Sequence, residues 1–442
     1  MGFDYSRKII SVDEALSLIK DGDHIVTSTA AGEARDFFMN LHKVIDRGVK
    51  DITVTNCITL TEGKYITDPA YSGKINVDSW FYTALNRQGR AYDSFSHIPC
   101  HLRHYGSRRR HHLKTNIFVS GASFPDKHGY VSVGLSAVYE REIYENADMI
   151  ILEINPNMPH IFGDVEINVK DVDYIIESDY PLPELPDAEP SALDYKIGKI
   201  VADDINDGDC IQLGIGGMPN AIAKSLYSKK DLGIHTEMLT SEMAKLFEAG
   251  VITGRRKKKH MRKMVCTFVY GTRQLYDFVD DNAGVLVLKG SYVNDPFLIG
   301  QNDNQVSINT SIEIDITGQC CSETIGTRQF SGTGGQSDTA IGAVISKGGR
   351  SYICVYSTTT IKDRDGQPKT ISKIVPTLKQ GAIVSLSRND VDRVVTEYGI
   401  AELRGTNIRE RVERLCAIAH PDFREDIMRQ TVDLGIIGKK IY

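Results

Sequence analysis

A short pattern occurs twice in this chain, and its recurrence constrains the fold more than any other feature. Ile19-Lys20-Asp21-Gly22-Asp23-His24-Ile25-Val26 is echoed about 186 residues later by Ile205-Asn206-Asp207-Gly208-Asp209-Cys210-Ile211-Gln212. Each copy has a helical pattern before it, an Asp-Gly-Asp turn, a short strand, a turn of small residues and another helix. A second echo follows at nearly the same offset. Asp126-Lys127-His128-Gly129 matches Asp315-Ile316-Thr317-Gly318, and each leads into an alternating strand pattern, Tyr130 to Gly134 and Gln319 to Ser322. Solenoids repeat every 20 to 50 residues or so, so a period this long implies two related α/β domains instead.

The join falls in Tyr180 to Pro190, where four prolines between Pro181 and Pro190 make a stiff linker. The expected domains are therefore 1–185 and 186–442, and a chain of 442 residues is long enough for two cores. Strand patterns at Asp51–Asn56, Ile117–Ser120, Met149–Ile154, Ile211–Leu213, Met264–Phe268, Val285–Leu288, Tyr352–Tyr356 and Ala382–Leu386 alternate with helical ones. That alternation predicts open, mostly parallel sheets covered by helices, with ligands beyond the carboxyl ends of the strands.

Composition removes several classes of function. A net charge of -6 gives no electrostatic case for a nucleic-acid partner. No apolar run approaches the roughly 20 residues of a membrane span, and Met1 to Ser6 lacks the apolar stretch of a signal peptide. The eight cysteines are scattered with no C-x-x-C, which reads as reduced, mostly buried thiols of a cytoplasmic protein. No histidine or carboxylate grouping has metal-ligand spacing, so no metal site is expected. Arg255-Arg256-Lys257-Lys258-Lys259-His260 reads as a solvated loop. Arg108-Arg109-Arg110-His111-His112 is similar, but it precedes a strand and could reach a site.

Chemistry concentrates in the second half. Gly214-Ile215-Gly216-Gly217 follows a strand, and Pro219 suits the first turn of a helix over Asn220–Tyr227. Glycines let a ligand approach the backbone, and a helix N-terminus offers free N–H groups to an anion. A dinucleotide fingerprint is the rival reading, with Glu237 as its acidic residue. It would need its third glycine where Pro219 stands. A second cluster, Gly332-Thr333-Gly334-Gly335-Gln336-Ser337-Asp338, can present amide donors to an oxyanion, or can be a surface loop. Glu237 ends the short segment Gly233–Thr236 and precedes a helical run from Ser241 to Glu248. A free glutamate titrates near 4.3, so it is expected ionised and nucleophilic at neutral pH, or else a capping residue. His235 beside it reads as a packing residue.

Taken in order, several of these motifs resemble a known family. They are His235-Thr236-Glu237-Met238, Gly214 to Pro219, Asn302 to Asn309, Gly332 to Asp338, and Ser387-Arg388-Asn389-Asp390-Val391 through Thr396 to Ala401. They resemble the acetyl-CoA hydrolase/transferase family, within it the 4-hydroxybutyrate and butyryl-CoA:acetate CoA-transferases, from about Tyr5 to Glu425. The resemblance implies two related α/β domains with the active site at their interface. It implies that Glu237 becomes a glutamyl-CoA thioester in a ping-pong exchange between a short-chain acyl-CoA and acetate, with Gly334 and Gly335 stabilising the oxyanion. Gln212, Leu213, Gly214, Ile215, Gly216, Ile312, Gly335 and Lys362 match positions that contact coenzyme A. Coenzyme A is then a substrate, no permanently bound cofactor is expected, and a homo-oligomer is. Two departures, Thr240-Ser241-Glu242-Met243 and Thr339 after Asp338, bear on acyl preference.

Overall fold

The computed structural model describes residues 4–71, 73–89 and 95–438. The first three residues of the N-terminal segment read above lie outside them. A seven-stranded sheet is formed by β1 (His24–Thr27), β2 (Ile52–Asn56), β3 (Ile75–Ser79), β4 (Phe95–His97), β5 (Ile117–Ala122), β6 (Met149–Ile154) and β7 (Tyr174–Glu177). Its order is β4-β3-β2-β1-β5-β6-β7, and every pairing is parallel. A second sheet uses β8 (Cys210–Leu213), β9 (Gly233–Ile234), β10 (Gln305–Thr310), β11 (Arg350–Cys354), β12 (Arg393–Thr396) and β13 (Gly399–Glu402). Its order is β9-β8-β10-β11-β12-β13, parallel except for the last hairpin.

Central strands are buried on both faces, as parallel sheets require. Neighbouring side chains alternate between cores: Ile25 packs in a cluster with Phe37, Ile52 and Val54. Val26 points the other way, into a cluster that also holds Phe118, Ile211, Val306 and Val395. This second cluster lies between the two sheets and joins them. The far face of the second sheet has its own core around Ile314, Ile353, Val394 and Val412.

The repeated motifs occupy equivalent places. In the two Asp-Gly-Asp turns, Gly22 and Gly208 hold φ of 80° and 85°. The Lys20 and Asn206 amides donate to the Asp23 and Asp209 carboxylates at 2.8 Å each. Asp126 and Asp315 each accept two local amides in the same way. Register carries the repeat further. Thr53 lies opposite His24, and Gly233 opposite Cys210. Four residues on, Cys57 and Glu237 therefore hold equivalent positions beyond the strand ends. Left-handed Ala30 (φ 52°) is the counterpart of Gly216 (φ 113°).

Some expectations need correction. Ala382–Leu386 forms no strand; Leu386 alone makes a bridge, to Cys320. The segment Met264–Phe268 is split, because Met264–Cys266 pairs with Val285–Val287 while Phe268–Val269 pairs with Met238–Leu239. The helix after the glycine turn, α2, spans Gly217–Lys224 and starts three residues earlier than expected. It follows α1 (Ala192–Asp203), which Ser191 and Asp194 cap reciprocally. Within the basic run, Lys257 is not solvated. Its stem packs against Gly233, and its amine donates to the carbonyls of Ile234 (2.5 Å) and Lys263 (2.8 Å). Burial lowers its pKa to about 8. Arg109 is likewise buried, paired with Asp78 and bonded to the Thr55 hydroxyl. All eight cysteines are buried and free, as expected. Among the described residues no helix is long and apolar enough to cross a membrane.

Candidate active site

Glu237 lies just past β9, between that strand and α3 (Ser241–Glu248). Its backbone carbonyl accepts the amides of Thr267 (2.8 Å) and Phe268 (3.2 Å), which fixes the strand end. The side chain keeps partial solvent access, yet protein surrounds its carboxylate closely. Desolvation raises the pKa to about 7, opposed by a hydrogen bond from Asn294 and by the Gly335 amide. Asn294 Nδ2 donates to Oε2 at 3.2 Å. The expectation of a carboxylate fully ionised at neutral pH is thus corrected: desolvation brings the titration of this carboxyl close to neutral pH. His235 is buried, contacts Val293 O at 2.8 Å and is depressed to about 3, which fits a packing role.

The second glycine cluster is an interface loop. It leads into α4 (Gln336–Ile345). A Cβ on Gly335 would lie 2.0 Å from both Glu237 Oε2 and Asn294 Nδ2. Only glycine lets the loop approach the carboxylate so closely. Gly334 is left-handed (φ 54°), and its carbonyl accepts the Leu102 amide at 3.0 Å. Gly332 is pressed against the Trp80 carbonyl, and Arg103 pairs with the fully buried Asp338. Leu102, Trp80 and Arg103 belong to the first half, so the loop beside Glu237 is set by both halves.

The first glycine turn stands between two clefts. One, of about 130 Å³, is lined by Leu185, Pro186, Ile215, Met238, Thr240 and Tyr270 among others. The other, of about 250 Å³, is lined by residues including Gly216, Gly217, Thr310, Ser311, Tyr356 and Lys373. Ile215 and Gly216 border both. The linker forms a wall of the smaller cleft, held by Leu185 N to Gly271 O (2.9 Å) and Tyr276 Oη to Pro183 O (2.6 Å).

Of the other expected ligand-contacting residues, Leu213 is buried at the end of β8, and Gly214 begins the turn. Gln212 is buried too, and its Oε1 accepts from Ser307 Oγ (2.9 Å) and the Ile308 amide (3.1 Å). Thr339 joins that polar network through Ser307 and Asn309, outside both cleft linings. Ile312 donates its amide to Cys321 O, beyond β10. Lys362 sits exposed on the hairpin Thr358–Lys362/Pro368–Ser372 and lines neither cleft. Asn294 and Lys373 escaped the sequence reading. Neither belongs to a glycine turn or a strand-end carboxylate motif.

Comparison with known proteins identifies a family. The acetyl-CoA hydrolase/transferase N-terminal domain matches residues 3–186, and the C-terminal domain of the same family matches residues 271–431. The 4-hydroxybutyrate coenzyme A transferase of Clostridium kluyveri is 39% identical over 427 residues, 96% of this chain and 97% of that protein. The succinyl-CoA:cyclohexane-1-carboxylate CoA transferase of Geobacter metallireducens is 37% identical, covering 96% and 95%. The crystal structure of RipA from Yersinia pestis superposes with a TM-score of 0.91 at 32% identity, covering 98% of this chain and 99% of that one. With both family domains matched and such similarity along almost its whole length, the chain belongs to the acetyl-CoA hydrolase/transferase family.

Proposed function

We propose that the protein transfers coenzyme A between a short-chain acyl-CoA, butyryl- or 4-hydroxybutyryl-, and acetate, through a glutamyl-CoA thioester on Glu237. The observation that carries this reading is the carboxylate itself, held against Gly335 and Asn294 at a strand end where two halves of the fold meet. In this reading the domains divide at residue 185, as the linker suggests.

A carboxylate oxygen of Glu237 attacks the thioester carbonyl, the C–S bond breaks, and coenzyme A leaves as a thiolate. A thiol of pKa about 8.5 needs no strong acid to leave. The Gly334–Gly335 loop and the Asn294 amide face the developing oxyanion. The thiolate then attacks the glutamyl carbonyl of the mixed anhydride and releases the acyl group as a carboxylate. Acetate takes the thioester by the reverse steps. Exchange of one carboxylate for another is nearly isoenergetic, so a protein carboxylate is a matched relay. Gln212 to Gly216, Ile312, Gly335 and Lys362 are the proposed coenzyme A contacts.

The test is product analysis with butyryl-CoA or 4-hydroxybutyryl-CoA, with and without acetate. Acetyl-CoA formed in proportion to donor consumed is expected. Release of free coenzyme A at a rate indifferent to acetate would assign a hydrolase on the same nucleophile instead.

A further inference from the structure

The larger cleft contains a cation that the chemistry at Glu237 leaves unused. Lys373 follows the hairpin that begins at Thr358, and its amide donates to Ser357 O at 2.9 Å. It lines the same cleft as the Gly216–Gly217 turn. Among the described residues, no acceptor lies within hydrogen-bond reach of its amine and no carboxylate within ion-pair distance. What it has is an aromatic face, with Nζ 5.5 Å from the Tyr356 ring centroid. That ring is locked in turn, because Tyr356 Oη donates to Asp194 at 2.6 Å.

The acidic groups that face this amine are occupied elsewhere. Glu397 accepts the Ser357 hydroxyl (2.6 Å) and amide (3.0 Å). Glu313 accepts the Lys379 amide at 3.3 Å and has the Lys379 ammonium 3.8 Å away. Burial of the amine without a partner lowers its pKa. A cation left this way is available to an incoming anion. Thr310 and Ser311 add polar backbone and a hydroxyl to the same cleft.

Position decides which anion. Glu237 lies three residues past β9, and Ser357, which carries Lys373 on its carbonyl, three residues past β11. The order β9-β8-β10-β11 separates them by three strand spacings, about 14 Å along the sheet top. An acceptor carboxylate must meet Glu237 itself, which is too far from Lys373. The pantetheine arm of coenzyme A has the length of about four extended residues, roughly 14 Å, so a thioester at Glu237 would bring its phosphates to this cleft.

We infer that Lys373, presented on the face of Tyr356, anchors the phosphate-bearing end of coenzyme A in the cleft beyond the Gly216–Gly217 turn. The inference rests on the transferase reading, and one experiment separates the two. Butyryl-CoA and butyryl-pantetheine, which lacks the phosphates, are compared as donors for the wild type, Lys373→Gln, Lys373→Met and Lys373→Arg. Lys373→Met keeps the apolar stem against Tyr356 and guards against a variant that fails to fold. Loss of a charge-assisted contact is expected to raise KM for butyryl-CoA about tenfold or more in the Gln and Met variants, with kcat within about twofold. KM for butyryl-pantetheine is expected unchanged, and Lys373→Arg is expected to stay near wild type. Equal effects on both donors, no effect on either, or a rise in KM for acetate instead would overturn the assignment. Transfer by the wild type checks the underlying reading independently: if wild-type protein transfers from neither donor, that reading fails first.

Discussion

At the scale of single residues, the proposed mechanism makes the protonation of Glu237 bear on both reactivity and stability. Its pKa is raised to about 7 by burial, and only the carboxylate can attack a thioester. We therefore expect kcat/KM to rise with pH through about 7 and level above it, which a pH profile at low donor concentration measures. The same burial works against the fold. A carboxyl whose folded pKa exceeds its unfolded value stabilises the fold below pH 4.5 and loses that contribution as pH rises towards 7. Glu237→Gln should then be inactive in transfer yet more stable than wild type at pH 8 by about 1–3 kcal/mol, with the difference vanishing at pH 4, by denaturant unfolding. The two neighbouring glycines should respond differently. Gly335 has φ of -104°, which any residue adopts, so Gly335→Ala fails only for lack of space, and a loss of about 100-fold or more in kcat is expected. In Gly334→Ala the new methyl meets nothing closer than 3.7 Å, and strain of about 1 kcal/mol at φ 54° should cost less activity. Glu237 was legible as a carboxylate at a strand end. Its raised pKa was not, because desolvation depends on neighbours such as Asn294 that are 57 residues away in sequence.

At the scale of elements, the loop before α4 is positioned from the other half of the chain. Arg103 reaches Asp338 in the first turn of α4, and the Leu102 amide holds the Gly334 carbonyl. Removing the partner of the buried Asp338 carboxylate leaves its charge uncompensated. Arg103→Ala should destabilise by about 3–5 kcal/mol, whereas Arg103→Met with Asp338→Leu should recover most of that stability, measured by chemical denaturation. Elements were legible where local pattern and tertiary demand agree. The helical run from Ser241 to Glu248 matches α3 residue for residue. They were misread where partners decide. The alternating pattern of Ala382–Leu386 looks like a strand, but only Leu386 makes a β-bridge, to Cys320. Lys257 looked solvated by its charge, yet carbonyl oxygens of Ile234 and Lys263 receive its amine inside. The proline-rich linker was read as a spacer, and its proline content gave no sign that Leu185 and Pro186 wall a cleft.

At the scale of the whole molecule, duplication explains the asymmetry of the site. Two copies of a strand-turn-helix unit face each other through a shared core, and each ends a strand at the same place. One copy carries Glu237 there with a glycine turn beside it. The other carries buried Cys57, with Ala30 forced left-handed where the turn has Gly216. The glycine-poor copy supplies Trp80, Leu102 and Arg103 to hold the loop against Glu237, while the glycine-rich copy supplies the proposed nucleophile and the clefts. The repeat was readable from Asp-Gly-Asp turns alone, and its glycines and Glu237 mark the second copy as the one proposed to carry the chemistry. How the halves meet was not, since no local pattern encodes a contact between Arg103 and Asp338.

The central claim is a covalent thioester on Glu237, and trapping it is the most direct test. Protein incubated with butyryl-CoA and then treated with borohydride is digested, and the Glu237 peptide is examined by mass spectrometry. The account predicts a Glu237 side chain reduced to an alcohol, only when acyl-CoA was present and absent in Glu237→Gln. An unmodified Glu237 peptide throughout, in a preparation that turns over acyl-CoA, would contradict it.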